Sequence, residues 1–556
     1  MRERIIGLEV EYNLAHLPAA GEPHLDGDAV SRKADELVWR EMAPPDQKPF
    51  WPTGCKLYRD RGHLEWASQE CRGPRQALAA DKAGERLVSQ VAAATELHVG
   101  GRILVAKNNL DPQGNTFGCH ENYSVERRGT LTAGDEDELD EFWDYLVRRL
   151  VPFLVSRPVI CGSGLWAPGG RPGFHLSQRA AHIETVVSIN TIGARAIVNN
   201  RDEAHADRDR FRRLHLILGD ANVAEIAGYL KLGTTSLVLE MIEALFLEEG
   251  PELADPVAAL HAFSADRELH ATADLAGGGA IDAIDLQRHY LDAAKLFFAG
   301  STADDETWKT LALWEEVLAK LRQDPSQLVG KLDWVTKQAV LANAAASEHW
   351  DDLDPRLREL DLQYHGVRRD DNLLSHLERS GLLERLLEEN EIESALHDPP
   401  PYTRARVRAA AAARGWAVSE WDEIRGAPSA SGPAARTVSV GLDDPFDWCP
   451  VEALAALGLG PAEMAAWMAT GMASDQPAVR IQALDALRQA IPQEAVGIAL
   501  AALGDRDSRV RAAAASTLGA AAGPRSLRAL EGALQDPHFL VRLRAREALS
   551  AQVVSA

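Results

Sequence analysis

The 556-residue chain is too long for one ordinary hydrophobic core, so two or three domains are expected. With 46% hydrophobic and 26% charged residues it reads as soluble and globular. Its formal net charge of −24 argues against nucleic acid and anionic membrane as partners. No apolar run reaches transmembrane length, and Met1-Arg-Glu-Arg4 is not followed by a signal-peptide pattern. The cysteines at 55, 71, 119, 161 and 449 form no C-x-x-C pair, so neither a disulfide framework nor a zinc ribbon is indicated. A reduced, cytoplasmic protein is expected.

The chain opens with an apolar run, Ile5-Ile-Gly-Leu-Glu-Val-Glu-Tyr12, in which Glu9 and Glu11 fall on one face of a strand. Paired carboxylates on a strand are costly unless solvated, protonated or neutralised. A hard divalent cation neutralises them with oxygen ligands, and Mg²⁺ commonly takes one or two carboxylates plus substrate phosphates. The stretch Cys55-Lys-Leu-Tyr-Arg-Asp-Arg-Gly-His-Leu-Glu65 alternates like a strand, turns at Gly62 and alternates again. Tyr58 and Asp60 share a face, as do His63 and Glu65, which suits an open groove better than a core. Glu9, Glu11 and Glu65 are the carboxylate set predicted to hold the cation.

Ile103-Leu-Val-Ala106 reads as a strand, and Lys107 to Tyr123 as strand, polar glycine loop, strand, with His120 and Asn122 on one face and Glu121 on the other. His120 is a further candidate ligand beside the carboxylates. An amphipathic helix is expected from Asp137 to Val155, a loop from Gly162 to Gly173, a strand from Leu214 to Gly219 and a buried helix from Lys231 to Glu248. Arg179 and Arg201 lie in connecting segments, where sites concentrate. The arginine fork suits phosphate and carboxylate, and Phe211-Arg-Arg-Leu-His-Leu216 extends this basic feature. Further helices are expected at Asp304–Arg322 and Asn372–Leu396, ending before Asp398-Pro-Pro-Pro401. There is no Gly-x-x-x-x-Gly-Lys-Ser/Thr loop, so a P-loop ATPase is excluded.

Residues 402–448 read as a small separate unit, with Arg404, Arg406 and Arg408 opening a helix, Trp421 isolated, and an Ala/Gly/Ser/Pro loop from Gly426 to Ala435. Beyond it, segments beginning at Asp475, Asp505 and Asp536 repeat an acidic turn followed by a Val-Arg-x-x-Ala helix face. They resemble short HEAT-like repeats, which normally bind protein partners. Residues 475–556 hold ten arginines and eight acids, a formal +2, so the acidity sits in the first 474 residues.

Several segments in order carry a wider resemblance, over residues 1 to about 448. They are Gly7-Leu-Glu-Val-Glu-Tyr12, Leu57-Tyr-Arg-Asp60, Lys107-Asn-Asn109, Gly118-Cys-His-Glu-Asn-Tyr123, Leu176-Ser-Gln-Arg179, Asn200-Arg-Asp-Glu-Ala-His-Ala-Asp207 and Leu230-Lys-Leu-Gly-Thr234. Together they resemble the family of Pup ligase and Pup deamidase/depupylase, enzymes that attach or remove the prokaryotic ubiquitin-like protein Pup. The resemblance implies an α+β fold similar to glutamine synthetase. Its curved antiparallel sheet, flanked by helices, would cradle ATP (or ADP plus phosphate) and Mg²⁺, followed by a small C-terminal α/β domain. With the repeats, the expected domains are 1–400 (catalytic), 401–450 (small domain), 451–473 (linker) and 474–556 (an α-solenoid).

The same resemblance makes Glu9, Tyr58 and Glu65 metal ligands and Asp60 the catalytic aspartate. Lys56 and Ser68 fall where the family contacts ATP, and Trp421 where the small domain contacts the nucleotide. Lys56 replaces an arginine and Ser68 a threonine of the ligase pattern. The short spacing Asp60-x-x-His-x-Glu65, Gly173 to Arg179, Gly219-Asp-Ala-Asn222 and Tyr229 to Thr235 resemble the depupylase branch, in which the aspartate acts as nucleophile or base on an amide or isopeptide bond. Ser177 to Ile183 resembles the ligase branch, which forms a γ-glutamyl phosphate and an isopeptide bond to lysine. Only Ala43 to Thr53 stands where depupylases carry a long insert. Pup, or a Pup-like tag with its conjugates, is the implied partner, with a further protein partner on the repeats. A catalytically silent adaptor that binds the tag is the alternative from another class.

Overall fold

A computed structural model describes residues 3–42, 50–111, 114–127, 136–171, 173–190, 193–300, 303–368, 372–418, 420–426 and 437–555. All but Gly426 of the loop expected at Gly426–Ala435, and most of Ala43–Thr53, lie outside these residues. The chain divides into two compact units, Met1–Pro399 and Pro400–Ala556.

The first unit is built on an eight-stranded sheet. Its strands are β1 (Ile6–Leu17), β2 (Lys56–Asp60), β3 (His63–Ala67), β4 (Arg102–Ala106) and β5 (Cys119–Glu126), then β8 (Thr185–Ser188), β9 (Ala196–Asn199) and β10 (Phe211–Leu216). Their order is β2-β3-β1-β5-β10-β9-β8, with β4 also pairing β1. All pairs are antiparallel except β8 with β9, so the sheet is mixed rather than purely antiparallel. Between β5 and β8, the segment expected as a loop carries a two-residue ladder, β6 (Leu165–Trp166) with β7 (Phe174–His175).

Alternation sorts the two sheet faces. Leu8, Val10 and Tyr12 of β1, Leu57 of β2, Leu64 and Trp66 of β3, Tyr123 and Val125 of β5 and Leu214 of β10 are buried. They form one core with α2 (Pro74–Val99), α3 (Glu136–Ser156) and α5 (Glu225–Glu243), the short α4 (Pro158–Cys161) lying between the last two. Gly84 lets α2 approach the sheet: a Cβ there would stand 2.7 Å from the Trp66 ring. The N-terminal strand thus sits inside the sheet, with Glu9 and Glu11 on the other face.

Helix limits depart from expectation in two places. The helix predicted from Lys231 begins at Glu225 and stops at Glu243, just before Leu245 with φ 56°. The helix expected over 372–396 is two, Leu373–Arg379 and Glu389–His397. Gly381 has φ 71°, and the Glu225 carboxylate accepts the peptide N–H groups of Leu386 and Leu387 at 2.6 and 2.8 Å, holding the chain out of the helix.

The second unit opens with the helix Arg404–Ala413 and the hairpin Glu423–Gly426/Val438–Gly441. The interval 451–473, expected as a linker, instead contains the helices Val451–Ala456 and Pro461–Ala469. Trp448 is fully buried there, its ring filling the space that a Cβ on Gly471 would need, and Gln482 donates to Asp447 at 2.9 Å. These contacts join the small domain to the helices Pro477–Ala490, Val496–Ala502, Ser508–Ala520, Pro524–Ala533 and Phe539–Ser555.

Candidate active site

Strand register brings most of the predicted residues onto one face. Glu11 stands directly opposite Glu65, and Glu65 opposite Tyr58. Glu9 stands opposite Ala67 on one side and His120 on the other, while His215 of β10 faces Asn122 of β5. Asp60 and His63 flank the tight β2–β3 turn, in which Arg61 and Gly62 both have positive φ (44° and 100°), the geometry of the two-residue hairpins that match strand twist. Potential ligand atoms gather in two groups, Glu9/His120/His215 and Glu11/Asp60/Glu65, each with all its atoms within 4.8 Å of one another.

The two groups differ in electrostatics. Burial raises the Glu9 carboxyl, but a hydrogen bond with His120 and the charges of His215, His120 and Arg213 hold it well below the usual range. The contacts are His120 Nδ1 at 3.2 Å, Asn122 Nδ2 at 3.1 Å, Arg213 Nη1 at 3.7 Å and His215 Nε2 at 3.9 Å. Burial pushes the His215 imidazole down to about 3, against the pull of Glu9. Its Nε2 is buried without a hydrogen-bond partner.

Glu65 has the opposite environment. Burial, then the charges of Glu9, Glu11 and Asp60, push its carboxyl well above the normal range, with a hydrogen bond from Tyr58 opposing. Burial and Glu65 in turn push the Tyr58 phenol far up. His63 stacks on Phe117 with centroids 4.5 Å apart and sets Nδ1 3.6 Å from Glu11. Three crowded carboxylates must take up a proton or share a cation. An all-oxygen set fits Mg²⁺, whereas the Glu9/His120/His215 set mixes oxygen with imidazole nitrogen, which transition metals prefer.

Arg179 is a buried cation that feels the charge of Glu11. Its Nη1 donates to Thr116 Oγ1 at 3.2 Å, and its Nε is buried with no partner. Burial lowers its pKa while Glu11 raises it. A buried guanidinium with an unpaired donor calls for an anion. Its backbone is fixed by Asp220, whose carboxylate accepts from Ser163 N and Oγ, Ser177 Oγ, Gln178 N and Arg179 N at 2.8–3.1 Å.

The remaining predicted residues divide. Lys56 shares the face of Tyr58 and Asp60, its ammonium 4.4 Å from the Phe50 ring centre. Ser68 is buried just past β3; its Oγ accepts from Leu8 N and donates to Gln69 O, both at 2.9 Å, which ties β1 to β3. Arg201 is exposed and paired with Glu203 at 2.8 Å, contributing only its charge at His215. Trp421 belongs to the second unit, under the Arg408 guanidinium at 5.1 Å. Sequence reasoning named Arg213 and His215 only within the basic stretch 211–216, and Asp220 only within the motif 219–222, giving none of them a role in the site. Alternation against the buried Leu214 and Leu216 was the available signal for the first two.

Known proteins match along most of the chain. The Pup-ligase protein family model matches residues 4–424, and HEAT repeats match 465–550. The "Depupylase" of Acidothermus cellulolyticus is 41% identical over 466 residues, 76% of this chain and 90% of that one. The "Pup--protein ligase" of Actinosynnema mirum is 37% identical over 463 residues, 80% of this chain and 97% of that one. Among solved structures, the complex between Pup and its ligase PafA matches with TM-score 0.72 at 30% identity, covering 82% of this chain and 92% of that chain. PafA in complex with ADP matches with TM-score 0.66 at 30% identity, covering 78% and 93%. With a family match through β1, the acidic sheet face and the small domain, this chain belongs to the Pup-ligase protein family.

Proposed function

We propose that this enzyme is a Mg·ATP-dependent hydrolase that cleaves the isopeptide or side-chain amide at the C-terminal Glu/Gln of Pup or a Pup-like tag. The observation that carries this reading is the Glu11/Asp60/Glu65 cluster, with the buried donors of Arg179 fixed near it by Asp220. The relative named depupylase at 41% identity and the short β2–β3 turn favour the hydrolytic branch. The resemblance to structures of a ligase favours the second reading, isopeptide formation on a target lysine.

Glu9, Tyr58 and Glu65, with Glu11, would hold Mg²⁺, which neutralises charge on the nucleotide and on the reacting carbonyl oxygen. Lys56, on the same strand as Tyr58, would contact the nucleotide. Asp60 sits at the end of β2, half-buried, and is the carboxylate of its cluster closest to the hairpin tip. As base it takes a proton from water as the oxygen adds to the tag's carbonyl; as the C–N bond breaks, that proton passes to the departing amine. Arg179 stabilises negative charge developing on the carbonyl oxygen.

Because Glu65 is crowded by like charges, Glu65→Gln is expected to raise the melting temperature of the metal-free protein while removing most of the shift caused by Mg·ATP. At about 100-fold excess over Kd that shift corresponds to about 2.7 kcal/mol in the wild type. Release of the tag from a conjugate falls with it. A full Mg·ATP shift in Glu65→Gln, or none in the wild type, would exclude this metal–nucleotide site and leave the adaptor reading.

A further inference from the structure

One arginine recurs along the repeats of the second unit at a 31-residue step, as Arg480, Arg511 and Arg542. Arg480 anchors Nη1 on Ser474 O at 2.7 Å and grips the Asp505 carboxylate with Nε and Nη2 at 2.8 and 2.9 Å. Arg511 repeats this, with Nη1 on Asp505 O at 2.9 Å and its fork on Asp536 at 2.8 and 3.0 Å. Asp505 and Asp536 each lie three residues ahead of the next repeat's first helix, so both of these forks reach forward into the next acidic turn. Arg542 keeps the anchor, with Nη1 on Asp536 O at 2.7 Å and Pro537 O at 2.8 Å. Among the described residues its fork meets no carboxylate.

The surroundings of Arg542 match this open link. At the preceding repeat's equivalent positions, Ala512 and Ala515 are buried; Leu543 is 42% exposed and Arg546 is exposed. Phe539 is 64% exposed at the start of the same helix. Here an oriented guanidinium stands between two exposed apolar side chains.

We propose that this face docks a partner protein through a helix preceded by an acidic turn, the partner's aspartate entering the Arg542 fork and its apolar side chains covering Phe539 and Leu543. A bidentate arginine–carboxylate pair supplies orientation as well as attraction. A second copy of this chain fits less well, because its first repeat has Ser474 at the register where Asp505 and Asp536 stand in the later repeats, with its carboxylate one residue on at Asp475. The inference is independent of the chemistry proposed for the first unit.

The test uses the full chain and a fluorescein-labelled peptide with the sequence of residues 505–535, which opens on the Asp505 turn and models the partner. Anisotropy is expected to show saturable binding. Arg542→Lys in the chain and Asp505→Asn in the peptide should each weaken it about tenfold, and both together no further. Arg542→Lys keeps the charge and an ammonium donor for the Asp536 and Pro537 carbonyls while losing the two parallel donors of the fork, so folding is little disturbed. Phe539→Ser is expected to weaken binding independently. Absence of binding, or equal binding across these pairs, overturns the proposal.

Discussion

Asp60→Asn is expected to lower release of the tag from a conjugate by about a thousandfold, while leaving the nucleotide Kd within about twofold. The amide keeps the size and hydrogen-bonding outline of the carboxylate but can neither take a proton nor attack a carbonyl. Asp60 pairs with His63 across the turn, and its carboxylate lies within 4.8 Å of those of Glu11 and Glu65. Losing its charge also eases the crowding on Glu65, so metal and nucleotide should remain bound. The readouts are gel-monitored release and nucleotide titration, side by side. Turnover near the wild-type level would assign the chemistry to another group.

Arg157→Met is expected to destabilise the first unit by about 3–5 kcal/mol. Arg157 holds Glu121 with two hydrogen bonds at 2.9 and 2.6 Å, and both side chains are almost wholly buried. The Tyr123 hydroxyl donates to the same carboxylate at 2.7 Å, and Arg157 also donates to Thr235 at 2.9 Å. Glu121 lies on the core face of β5, between His120 and Asn122 on the site face, so the pair braces the strand that carries them. Removing the guanidinium leaves a buried uncompensated carboxylate, whereas Arg157→Met with Glu121→Gln should recover much of the loss. Urea unfolding of the single and double variants measures this. A single variant within about 1 kcal/mol of wild type would show the pair to be unimportant.

Local alternation made the centre of the site legible. Glu9 and Glu11, Tyr58 and Asp60, His63 and Glu65, and His120 and Asn122 each share a face because a strand's side chains alternate whatever it pairs with. His215 was hidden by its neighbours: Arg212, Arg213 and His215 are all polar, and only pairing of β10 with β5 sets His215 beside Glu9. Asp220 was illegible for a similar reason, since it holds main-chain groups of Ser163 and Gln178, 57 and 42 residues away in sequence. The 372–396 helix has a helical pattern throughout, yet Glu225, 161 residues from Leu386, captures the peptide groups in its middle. The supposed linker was misread because the burial of Trp448 depends on Gly471, a tertiary contact. The repeats, each a local unit with its own acidic turn, were plain from spacing alone.

The most direct test of a tag-releasing hydrolase is to incubate the purified chain with Mg·ATP and a Pup–protein conjugate, and to count free Pup and ADP together. The predicted result is free Pup accumulating with ADP far below stoichiometric. The contradicting result is no release, with a new conjugate appearing instead when Pup ending in glutamate and a lysine-bearing target are supplied, ADP rising in step with each bond formed.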